Sequence, residues 1–312
     1  MKLAAVVNPI AGAGRAAREW PAAEAALAAR FGAFPVLRTQ APEQASRLAE
    51  ELSRKGAEIV VACGGDGTLS EVADGLMRAA GESGARPRLG ALPVGTGSDF
   101  ARTLGLSADI LVNAARIAAE EWRAVDVGRL LFVDDDGRER ARFFLNIASL
   151  GLSGPTDRAV NAAKRKGLVG GKLVFLFHSV RELLRYRFQN VRISVDDQPS
   201  FEACVALVAV ANGRFFGGGM MIAPDAAIDD GAFDVVVLRA SGKVALLRQI
   251  NLLYRGAHVG LDIVTIVRGR KVTVMPLAPL SENVALLDID GDSPGRIPAT
   301  FEIRPRALMV AV

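Results

Sequence analysis

Ile59-Val60-Val61-Ala62-Cys63-Gly64-Gly65-Asp66-Gly67-Thr68-Leu69-Ser70-Glu71 is an apolar run that breaks into glycines and then into a helix-forming stretch. A short apolar run without polar alternation reads as a strand buried on both faces. The glycines permit a turn in which backbone can approach a ligand closely. Thr68 is competent to cap the helix that follows, and Glu71 three positions on completes the pattern of a capping box. Together these features aim backbone N–H groups and a helix dipole at one point, where an anion such as phosphate would sit. The same residues also serve as a plain tight turn with Asp66 as a turn residue. A bare carboxylate repels phosphate unless a cation or water lies between them, so Asp66 is a candidate partner of Mg²⁺.

Working outward, residues 88–93 read as the next strand, followed by Val94-Gly95-Thr96-Gly97-Ser98-Asp99. This repeats the logic of strand, small-residue loop and acidic helix start, with an ordinary loop capped by Asp99 as the alternative. The first such turn, Asn8-Pro9-Ile10-Ala11-Gly12-Ala13-Gly14, holds Gly-x-Gly without the full dinucleotide fingerprint, and the Walker phosphate loop is absent. Residues 3–7, 34–38, 58–63 and 88–93 predict strands, and residues 16–30, 41–55, 68–80 and 108–121 predict helices. This alternation implies a doubly wound α/β domain with a parallel sheet over residues 1–122, whose glycine loops share the strands' C-terminal edge.

Beyond Trp122 the pattern changes. Strands are expected at 123–133, 142–149, 191–195, 203–211, 233–238, 271–275 and 301–304, with one helical interruption over 169–187, so residues 123–312 read as a second, mainly antiparallel β domain. The acidic run Asp134-Asp135-Asp136 before Gly137 reads as a solvated hairpin tip. The chain of 312 residues is 50% apolar and 23% charged, a globular composition. Its net charge of +4 is too small to imply a nucleic-acid partner. Cys63 and Cys204 lie in apolar runs and read as core residues of a protein in a reducing compartment. The N-terminus lacks the pattern of a signal peptide, and no window approaches the roughly 18–20 apolar residues of a membrane span. Residues 158–187 combine Lys164, Arg165, Lys166, Arg181, Arg185 and Arg187 with apolar side chains, which suits either an anionic membrane surface or a core-packed helix with a basic outer face. His178 and His258 show no metal-ligand spacing.

Several motifs occur in one order along the chain: Asn8-Pro9; Gly64-Gly65-Asp66-Gly67-Thr68 with Glu71; Gly95-Thr96-x-Ser98-Asp99; Asn212-Gly213 with Gly217-Gly218-Gly219; Asp229-Asp230-Gly231; and Asp290-Gly291-Asp292. In this set the chain resembles the diacylglycerol kinase catalytic family, specifically the bacterial soluble lipid kinases of the diacylglycerol/sphingosine kinase superfamily. The resemblance implies an NAD kinase-like α/β first domain, a β-rich lipid-substrate domain and an ATP cleft between them. It implies transfer of the ATP γ-phosphoryl group to a lipid hydroxyl, with diacylglycerol the first choice of acceptor. A sphingoid base or phosphatidylglycerol is the alternative lipid, and an NAD kinase, which also uses Gly-Gly-Asp-Gly-Thr, is the alternative enzyme.

By motif position, Asn8, Pro9, Gly12, Thr39, Gly64, Gly65, Asp66, Gly67, Thr68, Glu71, Gly95 and Thr96 would contact the nucleotide. Asp66, Asp99 and Asp126 would organise a catalytic Mg²⁺, partly through water. Asp290 would be the general base, with Asp292 where the family more often has Glu. A base is chemically reasonable because a lipid alcohol must lose its proton as it attacks. Without the resemblance, Asp290-Gly291-Asp292 reads equally as a hairpin turn. The resemblance further assigns Asp230 and the carbonyls of Ala227 and Ala232 to a structural Mg²⁺, a plain acidic turn being the alternative. Ser70 and Ser98 replace a commoner Asn. The implied setting is the cytoplasm, with the protein held peripherally at a membrane by its substrate; homodimer formation is left open.

Overall fold

The computed structural model describes residues 1–81, 85–95, 98–165, 172–277 and 284–312. They form two compact units, one of Met1–Val127 with Phe143–Leu145 and Arg304–Val312, the other of Gly128–Arg142 with Asn146–Ile303. The first unit therefore takes back the chain's last residues, which a single cut after Trp122 leaves with the second.

In the first unit β1 (Leu3–Val7), α1 (Ala11–Phe31), β2 (Val36–Arg38), α2 (Gln44–Arg54), β3 (Ile59–Gly64), α3 (Asp66–Ala80), β4 (Arg88–Pro93), α4 (Asp99–Leu104) and α5 (Ile110–Ala119) follow one another. β1 pairs in parallel with β2 on one side and β3 on the other, and β4 continues beyond β3. The order of winding thus reverses at β1, the topological switch point where such sheets bind ligands. Because crossovers are right-handed, the reversal sends α1 and α2 to opposite faces of the sheet. α1 buries Ala16, Trp20, Ala23 and Leu27, spaced as one helical face, in a core with Ile110, Ala114 and Ile117 of α5 and Val61 and Cys63 of β3. Burial pushes the Cys63 thiol up to about 12, so it stays neutral as a core residue should.

The second unit continues with β5 (Trp122–Asp134), which starts in the first, then β6 (Glu139–Phe144), β7 (Ile147–Gly151), α6 (Ser153–Arg165), α7 (Lys172–Arg185), β8 (Gln189–Val195), β9 (Phe201–Ala211), β10 (Phe215–Phe216) and β11 (Met220–Met221). It ends with β12 (Phe233–Arg239), α8 (Lys243–Arg255), β13 (Val264–Gly269), β14 (Lys271–Pro276), β15 (Leu287–Ile289) and β16 (Gly295–Ala311), whose last residues return to the first unit. The pairings are antiparallel: β12 lies between β13 and β9, β8 between β9 and β14, and β7 between β9 and β15. The expected strands are present except that 142–149 breaks at residues 145–146 into the end of β6 and the start of β7, which pair with different neighbours.

The helices differ from expectation. Residues 153–185 hold two of them, α6 and α7, and α8 and β13 were not anticipated. α8 follows a buried strand and carries many apolar residues of its own, so its 3.6-residue period does not stand out. Cys204 is a second correction. It is exposed because the first half of β9 alternates, with Ala203 and Val205 inward and Glu202 and Cys204 outward. The acidic tip is as expected: Gly137 has φ +80° and its N–H donates to the Asp134 carbonyl at 3.1 Å.

Candidate active site

The loops that leave β1, β3 and β4 meet at one edge of the parallel sheet. Asn8 N–H donates to the Cys63 carbonyl at 2.9 Å, Val94 N–H to the Gly64 carbonyl at 2.9 Å, and Thr39 N–H to the Val7 carbonyl at 2.9 Å. A Cβ on Gly12 would lie 2.1 Å from the Val94 carbonyl oxygen, and Gly12 has φ +59°. A Cβ on Gly95 would lie 2.7 Å from the Cα of Gly65. Side chains are therefore excluded where these backbones converge, which leaves main-chain N–H groups to face a ligand. Asn8, Pro9, Gly12, Thr39, Gly64, Gly65, Asp66, Gly67, Thr68 and Gly95 all belong to this edge; Thr96 lies outside the described residues.

Two expected roles change in detail. α3 starts at Asp66, so Thr68 and Glu71 lie within the helix and no capping box forms. Thr68 Oγ1 instead accepts from Asn8 Nδ2 at 3.1 Å, tying the first and third loops together. Glu71 Oε2 accepts from the Ala45 N–H at 2.9 Å and so caps the first turn of α2.

Asp66 and Asp99 are neighbours: the Asp99 N–H donates to Asp66 Oδ2 at 2.8 Å. Arg102 Nη1 lies 3.4 Å from Asp99 Oδ1. Asp126 is fully buried, and its Oδ1 accepts from the Arg306 N–H at 2.6 Å, a bond that anchors the end of β16. Among the described residues no three acidic, His or Cys side chains gather into a direct metal cluster. This donor set fits an Mg²⁺ that the Asp66 and Asp99 pair would hold largely through water and phosphate oxygens. The Asp230 loop fits an ion less well. Asp230 Oδ1 accepts from the Ala232 N–H at 3.1 Å, while its Oδ2 pairs with the Arg268 guanidinium, which also lies 3.1 Å from Asp234 Oδ1. A guanidinium already neutralises the carboxylate assigned to a structural Mg²⁺, so no step below depends on that ion.

In the second unit Asp290 and Gly291 form the two-residue turn of a hairpin, with φ +50° and +88°, between the paired residues Ile289 and Asp292. Positive φ at both central positions is the primed turn that Asp-Gly favours. Asp290 Oδ1 accepts from the N–H groups of Asn146 at 3.1 Å and Ile147 at 2.9 Å, which fixes the carboxylate against β7. Asp292 Oδ2 pairs with Arg142 Nη1 at 2.7 Å. Asn146 and Arg142 carry no motif signal in the sequence. Asp288 is buried under the turn, where its carboxyl contacts Asp157 and Ser149 Oγ and accepts from the Gly291 N–H at 3.0 Å. Burial pushes this carboxyl up to about 6.

Comparison with known proteins accounts for this arrangement. Residues 2–130 match the diacylglycerol kinase catalytic domain, and residues 146–312 match the YegS C-terminal NAD kinase beta sandwich-like domain. A diacylglycerol kinase of Mycobacterium tuberculosis is 31% identical over 312 residues, covering 99% of this chain and 94% of the relative. The chain belongs to the diacylglycerol kinase family. A solved diacylglycerol kinase structure from Bacillus anthracis superposes with a TM-score of 0.71 at 25% identity, covering 99% of this chain and 96% of that one. An NAD kinase from Archaeoglobus fulgidus in complex with ATP shares the fold alone, at a TM-score of 0.52 and 15% identity over 99% of this chain and 93% of that one.

The second unit of this diacylglycerol kinase family member also holds an apolar pocket that no motif announces. It has a cavity volume of about 80 Å³ and opens between Phe175, Leu176 and Leu183 of α7, Leu207 of β9, and Leu246, Ile250 and Leu253 of α8. Its few polar members include Ser153, Thr156, Gln249 and His258. His258 Nε2 bonds the Ile222 carbonyl at 2.9 Å, and burial holds its pKa below the ordinary histidine value, so the pocket wall is uncharged at neutral pH.

Proposed function

We propose that this family member transfers the γ-phosphoryl group of ATP to the hydroxyl of a membrane lipid, with diacylglycerol as acceptor. The observation that carries the reading is the apolar pocket of the second unit, in the same unit as Asp290. Alkyl chains gain about 0.8 kcal/mol per methylene on leaving water, and a pocket with this apolar, uncharged lining suits one. A dinucleotide acceptor has no alkyl chain to place there, which disfavours an NAD kinase.

The glycine loops of the first unit bind the nucleotide phosphates through backbone N–H groups and the start of α3. Asp66 and Asp99 would hold Mg²⁺, which neutralises charge on the transferring phosphoryl group. Asp290, fixed by two backbone donors, accepts the proton of the lipid hydroxyl as it attacks. The test is transfer of label from [γ-³²P]ATP with Mg²⁺ to vesicles containing diacylglycerol, a sphingoid base or phosphatidylglycerol. Label in phosphatidic acid is expected, and its absence from every lipid refutes the reading.

The outer faces of α7 and α8 support peripheral attachment to a membrane. No helix among the described residues is long and apolar enough to cross a membrane. Phe177 and Leu184 on α7 and Val244 on α8 are 64%, 57% and 62% exposed. Exposed Arg181 and Arg185 lie on α7, and exposed Arg248 and Arg255 on α8. Apolar side chains interleaved with arginines complement an anionic bilayer. Flotation with phosphatidylglycerol vesicles should carry the protein, and the triple change Phe177→Ala, Leu184→Ala, Val244→Ala should leave it in the aqueous fraction. Equal flotation of both proteins counts against this face.

A further inference from the structure

Helix α6 touches both the apolar pocket and the turn that carries Asp290. Its first turn contributes Ser153 and Thr156 to the pocket wall. Its next residues reach the hairpin. The Asp157 carboxyl hydrogen-bonds that of Asp288. Arg158 Nε donates to Ser293 Oγ at 3.1 Å, and Asn161 Nδ2 donates to the Gly291 carbonyl at 3.0 Å. Ser149 Oγ lies 2.7 Å from Ser153 Oγ and 2.9 Å from Asp288 Oδ2, which closes a second path from pocket wall to hairpin. α6 thus holds residues on both sides of Asp290. Asp290 sits at the first central position of the primed turn, with φ +50°, so contacts to residues 288, 291 and 293 bear directly on where its carboxylate is held.

We infer that α6 is a positioning element that couples the pocket to the base: an alkyl chain seated against Ser153 and Thr156 orders α6, which through Asp157 and Asn161 sets the Asp290 turn for proton abstraction. This rests on the lipid-kinase reading above and goes beyond it. The acceptor's chain raises kcat as well as affinity. Asp157 and Asn161 are positioning residues, since they act through Asp288 and Gly291.

The experiment compares kcat and KM for dioleoylglycerol and dibutyrylglycerol in wild type, Asp157→Ala, Asp157→Asn and Asn161→Ala, with thermal melting as a folding control. Wild type should show a kcat about tenfold or more higher for the long-chain acceptor, because remote binding is used at the reacting centre. Asp157→Ala should lower the long-chain kcat about tenfold and the short-chain kcat less than about twofold, so that the ratio collapses. Asn161→Ala, on the exposed side of α6, should act in the same direction. Asp157→Asn should restore the ratio, since its amide N–H can donate to the Asp288 carboxyl. An equal fall with both acceptors, or a wild-type chain-length effect confined to KM, overturns the inference while leaving the kinase reading in place. Wild type that phosphorylates neither acceptor removes that reading, and this one with it.

Discussion

In the proposed mechanism Asp290 is the residue on which the chemistry depends. Its Oδ1 is held by two backbone N–H groups, so Asp290→Asn preserves size and packing and removes only the ability to take a proton. Lipid phosphorylation should fall about 10²-fold or more, with the melting temperature near wild type; steady-state kinetics beside thermal denaturation check this. Gly12→Ala should act on the other substrate. Its Cβ would meet the Val94 carbonyl oxygen at 2.1 Å, so the loop must shift, and isothermal titration should show weakened ATP binding. Asp288 makes a pH prediction. Its carboxyl is raised to about 6 in the fold, so the folded state holds this proton more tightly than the unfolded chain. The contribution is fully present below the ordinary aspartate value of about 3.9 and is lost as pH rises through about 6. Urea midpoints should therefore show Asp288→Asn gaining stability relative to wild type between pH 4 and pH 7. Asp66 and Asp99 were legible as partners because each follows a strand and a glycine loop. Asp157 and Asp288 were not, since isolated aspartates reveal no pairing until α6 and β15 are folded together.

At the scale of elements, alternation of short apolar runs with amphipathic helices was enough to place β1 to β4 and their helices. The exception at α3 is instructive. Ser/Thr-x-x-Glu marks a helix start only if the preceding residues are not helical, and Asp66-Gly67 extend α3 backwards, so Glu71 caps α2 instead. Glu71→Ala should lower stability by about 1 kcal/mol through loss of that cap, measured by urea denaturation. The apolar pocket stayed hidden for a related reason. Its walls come from α7, α8 and β9, distant in sequence, and residues that line a pocket are as apolar as residues that fill a core. Leu207→Trp should fill the space, raise KM for a long-chain acceptor and leave KM for ATP unchanged.

At the scale of the molecule, the chain's last residues, Arg304–Val312, belong with its first unit, while the start of β16 stays in the second. Met309 and Val310 pair with β4, and the Arg306 N–H bonds the fully buried Asp126 of the first unit. Removal of Arg304–Val312 should abolish the ATP-induced rise in melting temperature. The expected strand at 301–304 lies almost wholly in the second unit; that β16 runs on to residue 311 and joins β4 was not legible, because period and composition report what an element is and not which sheet it joins. The central claim is that glycine loops, Asp290 and an apolar pocket together phosphorylate a diacylglycerol. Mass spectrometry of a total lipid extract after incubation with the purified protein, Mg²⁺ and ATP tests it most directly. The account predicts new phosphatidic acid that is absent with Asp290→Asn; an unchanged lipid profile, or NADP⁺ formed when NAD⁺ is supplied, would contradict it.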